Sequence, residues 1–334
     1  MRDRVATVVF IAASLATGLV WSGDSCAQTK IARVGILVTP LMSSSTDNPR
    51  LQREWYEPFR ATLARHGWTE GKNISFEYRS ARGTPPRFSE AAAELVKLKV
   101  DVIYADNAPA TRAAYTATRS IPVVGLDFTN DPVTAGYAQS YARPGGSLTG
   151  FFLDAPGFAG KWLELLKAIV PGLSHVAVLW DPAPGLTHLE AMRAAARSSG
   201  VQLQVLEVHA ADDLDRAFGK FQPRPQALII LPSPLMYGEG ARLAELALKH
   251  RLPGTSMAPQ FTEAGGLLSY GPDLSEGAER CATLVAKILS GAKPGDLPIE
   301  RPTKLPLIVN LKTARALGIT IPESILLRAD EVIR

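Results

Sequence analysis

The sequence predicts an α/β protein made of two Rossmann-like lobes in tandem. Three observations lead there. From Ile31 onward, short β-branched apolar runs alternate with longer helical patterns, the signature of a parallel sheet covered on both faces. The alternation begins afresh after the turn Arg143-Pro144-Gly145-Gly146. The 334-residue chain, 46% hydrophobic, is also long enough to bury two cores of ordinary size.

The first element reads as an export signal over 1–27. Arg2 and Arg4 precede an apolar stretch from Val5 to about Trp21, and Ser25 and Ala27 offer a small-residue cleavage site ahead of Gln28. A run broken by Ala, Ser, Thr and Gly makes a poor membrane span. Cys26 opens a lipoprotein alternative, but Gly23, Asp24 and Ser25 lack the aliphatic residue such a site uses. Cleavage leaves Cys281 alone, so the mature chain has no internal disulfide and depends on its core. The segment carries two basic and two acidic residues, so the net charge stays at +4. No Lys/Arg run of the kind nucleic acid requires is present.

In the first lobe the predicted strands are Ala32–Val38, Ile74–Tyr78, Val100–Tyr104 and Ile121–Leu126. Helices are expected over 51–65, 88–98 and 110–119. The first places Leu51, Trp55, Phe59 and Leu63 four residues apart, with Gly67 as a stop and Pro58 as a kink or break. In the second lobe, Phe158, Trp162, Leu165, Leu166 and Ile169 form the apolar stripe of a helix. Strands follow at Val176–Trp180, Leu203–Val208, Ala227–Leu231 and Leu267–Tyr270, separated by helices over 189–199, 214–221 and 240–250. A helix over 274–289 and the Pro-rich stretch 293–306 then suggest that the chain recrosses before a last strand, Pro306–Leu311. The expected division is 31–149 plus about 272–300 for one lobe, and 150–271 plus about 301–334 for the other.

Compact catalytic signatures are missing: there is no G-x-x-x-x-G-K-[ST], no G-x-S-x-G and no H-E-x-x-H. His66, His175, His188, His209 and His250 show no paired spacing, so neither a metal nor another cofactor is expected. Gly145, Gly146 and Gly150 read as a turn or hinge, because they do not follow a strand with dinucleotide spacing.

What remains points to binding at strand ends, where an open α/β sheet meets its ligands. Asn107, or Asp106, can cap a helix whose first turn holds Pro109, and the free N–H groups there, with the Thr111 hydroxyl, form a candidate anion site. Ser233, between two prolines after a strand, invites the same two readings, cap or ligand contact. Asp131 and Asp181 each precede a proline near a strand end, as turn formers or as ligand contacts. Trp180 and Tyr270 end strands on the crevice side, as core residues or as stacking partners for a ring. Ser43 and Asp127 complete the set of candidate ligand contacts.

Several stretches resemble the ABC transporter substrate-binding protein family, whose characterised members take up tryptophan and related aromatic amino acids. They are Gly71-Lys-Asn-Ile74 with Glu77-Tyr-Arg79, Ala91-Ala-Ala-Glu-Leu-Val96, Val100-Asp-Val-Ile103, Ile121-Pro-Val-Val124 and Asp131-Pro-Val133. Ala142-Arg-Pro-Gly-Gly146, Leu148-Thr-Gly150, Gly265-Gly-Leu-Leu-Ser-Tyr-Gly271, Ile308-Val-Asn-Leu-Lys-Thr-Ala314, Leu317-Gly318 and Arg328-Ala-Asp-Glu-Val-Ile333 extend the match over the mature chain. The resemblance implies a type I periplasmic-binding-protein fold with three hinge crossings, a small-molecule ligand held between the lobes, and an ABC permease in the inner membrane as partner. The export signal, with no second apolar span after it, predicts a periplasmic monomer, and the missing catalytic signatures predict that it is not an enzyme. This sequence departs from the family pattern at Ser147, where the family has Asn, and at Asp106-Asn107, where many relatives have Gly-Thr. A sensor presenting its closed form to a membrane receptor is the alternative, and an exported α/β enzyme would need a nucleophile–base pair or metal cluster that is not visible.

Overall fold

Five parallel strands, β1 (Ala32–Val38), β2 (Ile74–Ser80), β3 (Val102–Ala105), β4 (Val123–Asp127) and β5 (Leu148–Phe152), form the first sheet in the order β2-β1-β3-β4-β5. The computed structural model describes residues 31–38, 52–81, 85–153 and 155–334. The expected export signal with Cys26, and the candidate contact Ser43, lie outside the described residues.

The pleat explains why these runs are apolar without a break. Along β1, Val34, Ile36 and Val38 enter one core while Leu37 enters the other; β3 repeats this with Val102 and Tyr104 against Ile103 and Ala105. α1 (Glu57–Arg65) covers the first face, and α2 (Pro85–Lys97) and α3 (Ala108–Ala117) cover the second. Pro58 sits in the first turn of α1, where the N–H it lacks has no intrahelical partner, and the break falls ahead of it in a π-helical turn, Gln52–Tyr56.

The second sheet takes β6 (His175–Trp180), β7 (Gln202–Glu207), β8 (Ala227–Ile230), β9 (Gly254–Ser256), β10 (Leu268–Tyr270), β11 (Leu307–Asn310) and β12 (Glu331–Ile333). Their order is β12-β11-β10-β9-β8-β6-β7. Val176, Val178 and Ile229 point to one core and Ala177, Leu179, Leu228 and Ile230 to the other. The helices of this lobe are α4 (Ala155–Ile169), α5 (Thr187–Ser199), α6 (Asp213–Gly219), α7 (Pro234–Gly238), α8 (Gly240–Lys249) and α9 (Pro259–Glu263).

After β10 the chain leaves this lobe. α10 (Leu274–Leu289) buries Ala278, Cys281, Ala282 and Val285 in the core that holds Val34, Tyr104 and Phe151 of the first lobe. Beyond a 3₁₀ turn, Pro294–Asp296, the return segment runs beside β5: Glu300 N–H donates to Gly150 O at 2.9 Å, and Phe152 N–H donates to Glu300 O at 2.9 Å. The chain then crosses back into β11, followed by α11 (Leu311–Leu317) and α12 (Glu323–Leu326). Because it re-enters from the end at which β10 left, β11 runs antiparallel to β10.

All five residues of β5 pair with β4, so Gly150–Phe152, expected in the second lobe, lie in the first sheet. Glycine makes the pairing possible: a Cβ at Gly150 would stand 2.0 Å from the carbonyl oxygen of Gly125 on β4. The second and third crossings are tied together by Glu276, buried on α10. Its carboxylate accepts from the N–H of Thr303 at 3.2 Å, the N–H of Lys304 at 3.2 Å and the Thr303 hydroxyl.

Candidate functional site

The same local device stands on each lobe at a strand's carboxyl end. Asn107 has extended backbone, φ −162° and ψ 171°, and its Oδ1 accepts from Ala110 N–H at 2.9 Å, with Pro109 in the first turn of α3. Ser233, also extended, accepts from Met236 N–H at 3.2 Å with Pro234 opening α7. Between these caps lies a cavity of about 500 Å³, a common size for a small-molecule site.

Its first-lobe wall includes Trp55, Asp106, Leu126, Phe128 and Thr129; the second lobe adds Tyr237, Met257, Gln260 and Glu263, and Leu274 of α10 closes one side. Pro109, Pro184, Pro232 and Pro234 also line it. Trp55 is 2% exposed and stacks at 6.1 Å on Tyr104, so its ring is fixed from behind. The polar groups are few. The Asp106 carboxylate accepts from the Asn107 side-chain amide, and burial together with the Glu54 carboxylate pushes the Tyr237 phenol well up.

The lobes are closed on this cavity. Gln260 Nε2 of the second lobe donates to Glu54 Oε2 of the first at 3.3 Å, and Arg112 of the first donates to the Ala183 carbonyl of the second at 3.2 Å. His188 of α5 reaches the Phe128 carbonyl at 2.7 Å. The Phe128 side chain packs against cores of both lobes and meets Phe151 edge-on at 6.1 Å.

Of the residues singled out in the sequence, Asn107 and Ser233 line the cavity. Asp181 stands next to it: its Oδ1 accepts from Ala183 N–H at 2.9 Å and its carboxylate from the Ser233 hydroxyl, while burial raises its pKa despite these bonds. Thr111 lies outside the lining, fully buried with its methyl packed where a Cβ at Gly125 would fall. The Ala110 N–H of the proposed anion site is already engaged by Asn107.

Asp127 forms a turn at the end of β4, accepting from Thr129 N–H at 2.8 Å, Asn130 N–H at 3.0 Å and Asn130 Nδ2 at 2.8 Å. Asp131 does the same one turn on, with Val133 and Thr134 N–H and the Tyr141 hydroxyl. Partial burial opposes its ionisation, yet these bonds outweigh it and hold its carboxyl low. Trp180 donates through Nε1 to Gly185 O at 3.2 Å. Tyr270 stacks on Phe158 at 5.5 Å, and its carbonyl accepts from Trp162 Nε1 at 2.8 Å. Both belong to the frame of the second lobe, and neither lines the cavity.

The family model for ABC transporter substrate binding proteins matches residues 49–333. The chain belongs to that family. This substrate-binding protein is 23% identical over 280 residues to a tyrosine-binding protein of Clostridioides difficile, covering 83% of this chain and 79% of that one. A conserved domain protein of Vibrio cholerae superposes with a TM-score of 0.81 at 26% identity, over 91% of this chain and 100% of that one. The ABC domain in complex with L-Trp from Streptococcus pneumonia superposes with a TM-score of 0.79 at 24% identity, over 90% and 99% of the two chains. The fold is that of a type I periplasmic binding protein. Among the described residues of this substrate-binding protein, no helix is long and apolar enough to cross a membrane, and no three His, Cys, Asp or Glu side chains are placed to hold a metal ion.

Trp55, Phe128, Tyr237 and Gln260 were not singled out from the sequence. Trp55 reads there as one of four core positions on a helical stripe. Tyr237 carries a usable signal, one helical turn beyond the proline-flanked Ser233.

Proposed function

We propose that this chain is the periplasmic receptor of an ABC importer, exported by cleavage after Ala27, and that it closes as a monomer on an aromatic amino acid or a related aromatic acid. The closed form is what an inner-membrane permease reads. The observation that carries this reading is the cavity of about 500 Å³ that lies between the lobes and is walled by Trp55, Phe128 and Tyr237. Aromatic faces at fixed positions can stack on a flat ring. The named ligands of two relatives, tyrosine and L-Trp, lie in the same chemical class.

The test is a thermal-shift screen of the purified protein against amino acids, aromatic acids and small sugars. A ligand at a hundred times its Kd adds about 2.7 kcal/mol to the folded state, enough for a clear rise in Tm. Tyrosine, tryptophan, phenylalanine or a hydroxybenzoate should give that rise, and a response confined to sugars would end the proposal. Intact-mass analysis of the exported protein should show Gln28 as its first residue.

A further inference from the structure

On the second-lobe wall of the cavity two polar atoms are sealed from solvent without a hydrogen-bond partner among the described residues: the Tyr237 hydroxyl and Gln260 Oε1. Buried polar atoms in folded proteins are almost always paired, and two unpaired ones on residues that line one cavity call for a partner. The orientation of Gln260 follows from chemistry. Its amide meets the Glu54 carboxylate at 3.3 Å, and a carboxylate only accepts, so the NH₂ group must face Glu54 and the amide oxygen is the atom left without a partner. That oxygen can only accept. The Tyr237 hydroxyl, one helical turn beyond the Ser233 cap, can donate or accept.

We infer that Tyr237 and Gln260 form a specificity subsite that selects solutes carrying an N–H or O–H donor, with Gln260 Oε1 as the acceptor and the Tyr237 hydroxyl bonded to the same group. The inference rests on the aromatic-solute reading above and adds to it the residues that discriminate among aromatic solutes. Gln260 also bridges to Glu54 on the other lobe, so the amide is oriented only when the lobes are shut. Discrimination is therefore a property of the closed form. A solute without the donor leaves the buried Gln260 Oε1 unpaired and binds at least about tenfold more weakly. The donor can come from a ring hydroxyl or from an ammonium group, and the probes below separate the two.

The experiment is calorimetric titration of the wild-type protein, Tyr237→Phe and Gln260→Met with L-tyrosine, L-phenylalanine and 3-(4-hydroxyphenyl)propanoate. Phenylalanine lacks the ring hydroxyl, and the propanoate lacks the ammonium group. The expected result is that wild type prefers tyrosine to one of the others by tenfold or more, and that each variant cuts that ratio at least severalfold. Loss of the preference over phenylalanine places the ring hydroxyl at the subsite, and loss of the preference over the propanoate places the ammonium group there. Variants that weaken all three probes by the same factor, or a wild type that binds all three alike, overturn the subsite and leave the aromatic reading standing. Failure of all three probes to bind wild type overturns the aromatic-amino-acid reading itself. Both substitutions keep the size of the side chain, and melting curves without ligand check that each variant folds.

Discussion

Nε2 of His188, on the second lobe, lies 2.7 Å from the backbone carbonyl oxygen of Phe128, on the first. A carbonyl only accepts, so Nε2 carries the proton. Nδ1 is then the bare nitrogen, buried without a partner among the described residues. The ring is 3% exposed and lies 6.2 Å from Trp162. Burial pulls its pKa down to about 4, with the Phe128 carbonyl opposing. Asp127, the neighbour of Phe128, turns its carboxylate onto Thr129 and Asn130 instead.

Closure should therefore be linked to pH. When the lobes part, Phe128 withdraws and the ring meets water, where its pKa returns toward the ordinary 6.5. The closed form holds the lower pKa, so its advantage is complete above about 6.5 and is lost as the pH falls toward 4. Ligand affinity should fall by up to about tenfold per pH unit across that window. His188→Gln keeps a donor for the carbonyl and does not titrate, so its affinity should lose this slope. A variant with the slope of wild type would show that His188 is not its source.

Asp127 titrates with the opposite sign. Burial raises its pKa from 3.8 to about 6, against the pull of its bonds to Asn130 and Thr129. The folded state thus binds the proton more tightly than the unfolded chain, so the stabilisation is full below about 3.8 and is lost as the pH rises through 6. Asp127→Asn keeps an oxygen for the two backbone donors and cannot ionise. Urea unfolding between pH 4 and 7 should show wild type losing stability relative to this variant as the pH rises, by an amount on the order of 2–3 kcal/mol at most. Parallel curves for the two proteins would contradict the assignment.

Glu276 should act as a hinge clamp. Glu276→Ala leaves Thr303 N–H and Lys304 N–H without their acceptor, a loss on the order of 1–3 kcal/mol. Glu276→Gln retains one acceptor oxygen and should cost less. Hydrogen exchange at Thr303 and Lys304 should quicken in the Ala variant more than elsewhere in the lobes. Uniform acceleration would point to general destabilisation instead of a clamp.

The sequence by itself determined the two-lobed α/β plan, because each lobe is a chain of short-range patterns. Uninterrupted runs such as Ile103–Ala105 and Leu228–Ile230 report a sheet buried on both faces, and each helix carries its own stripe and stops. The caps at Asn107 and Ser233 were legible for the same reason, since a cap and its first-turn proline are neighbours in the chain. The short elements β9, β12, α7 and α9 carry no period or apolar run that registers. Only the tertiary structure decided which strand-end residues face the ligand cavity and which hold turns. Asp127, Asp131 and Thr111 sit at the expected strand and helix ends, but the two carboxylates are taken up by the backbone donors that folding brings within reach, and Thr111 is buried in packing. Trp55, Phe128, Tyr237 and Gln260 gain their place from the closing of one lobe on the other. The contacts that join the lobes link residues 60 to 206 positions apart, as in His188 with Phe128 and Gln260 with Glu54, and no local pattern encodes a pairing at that distance.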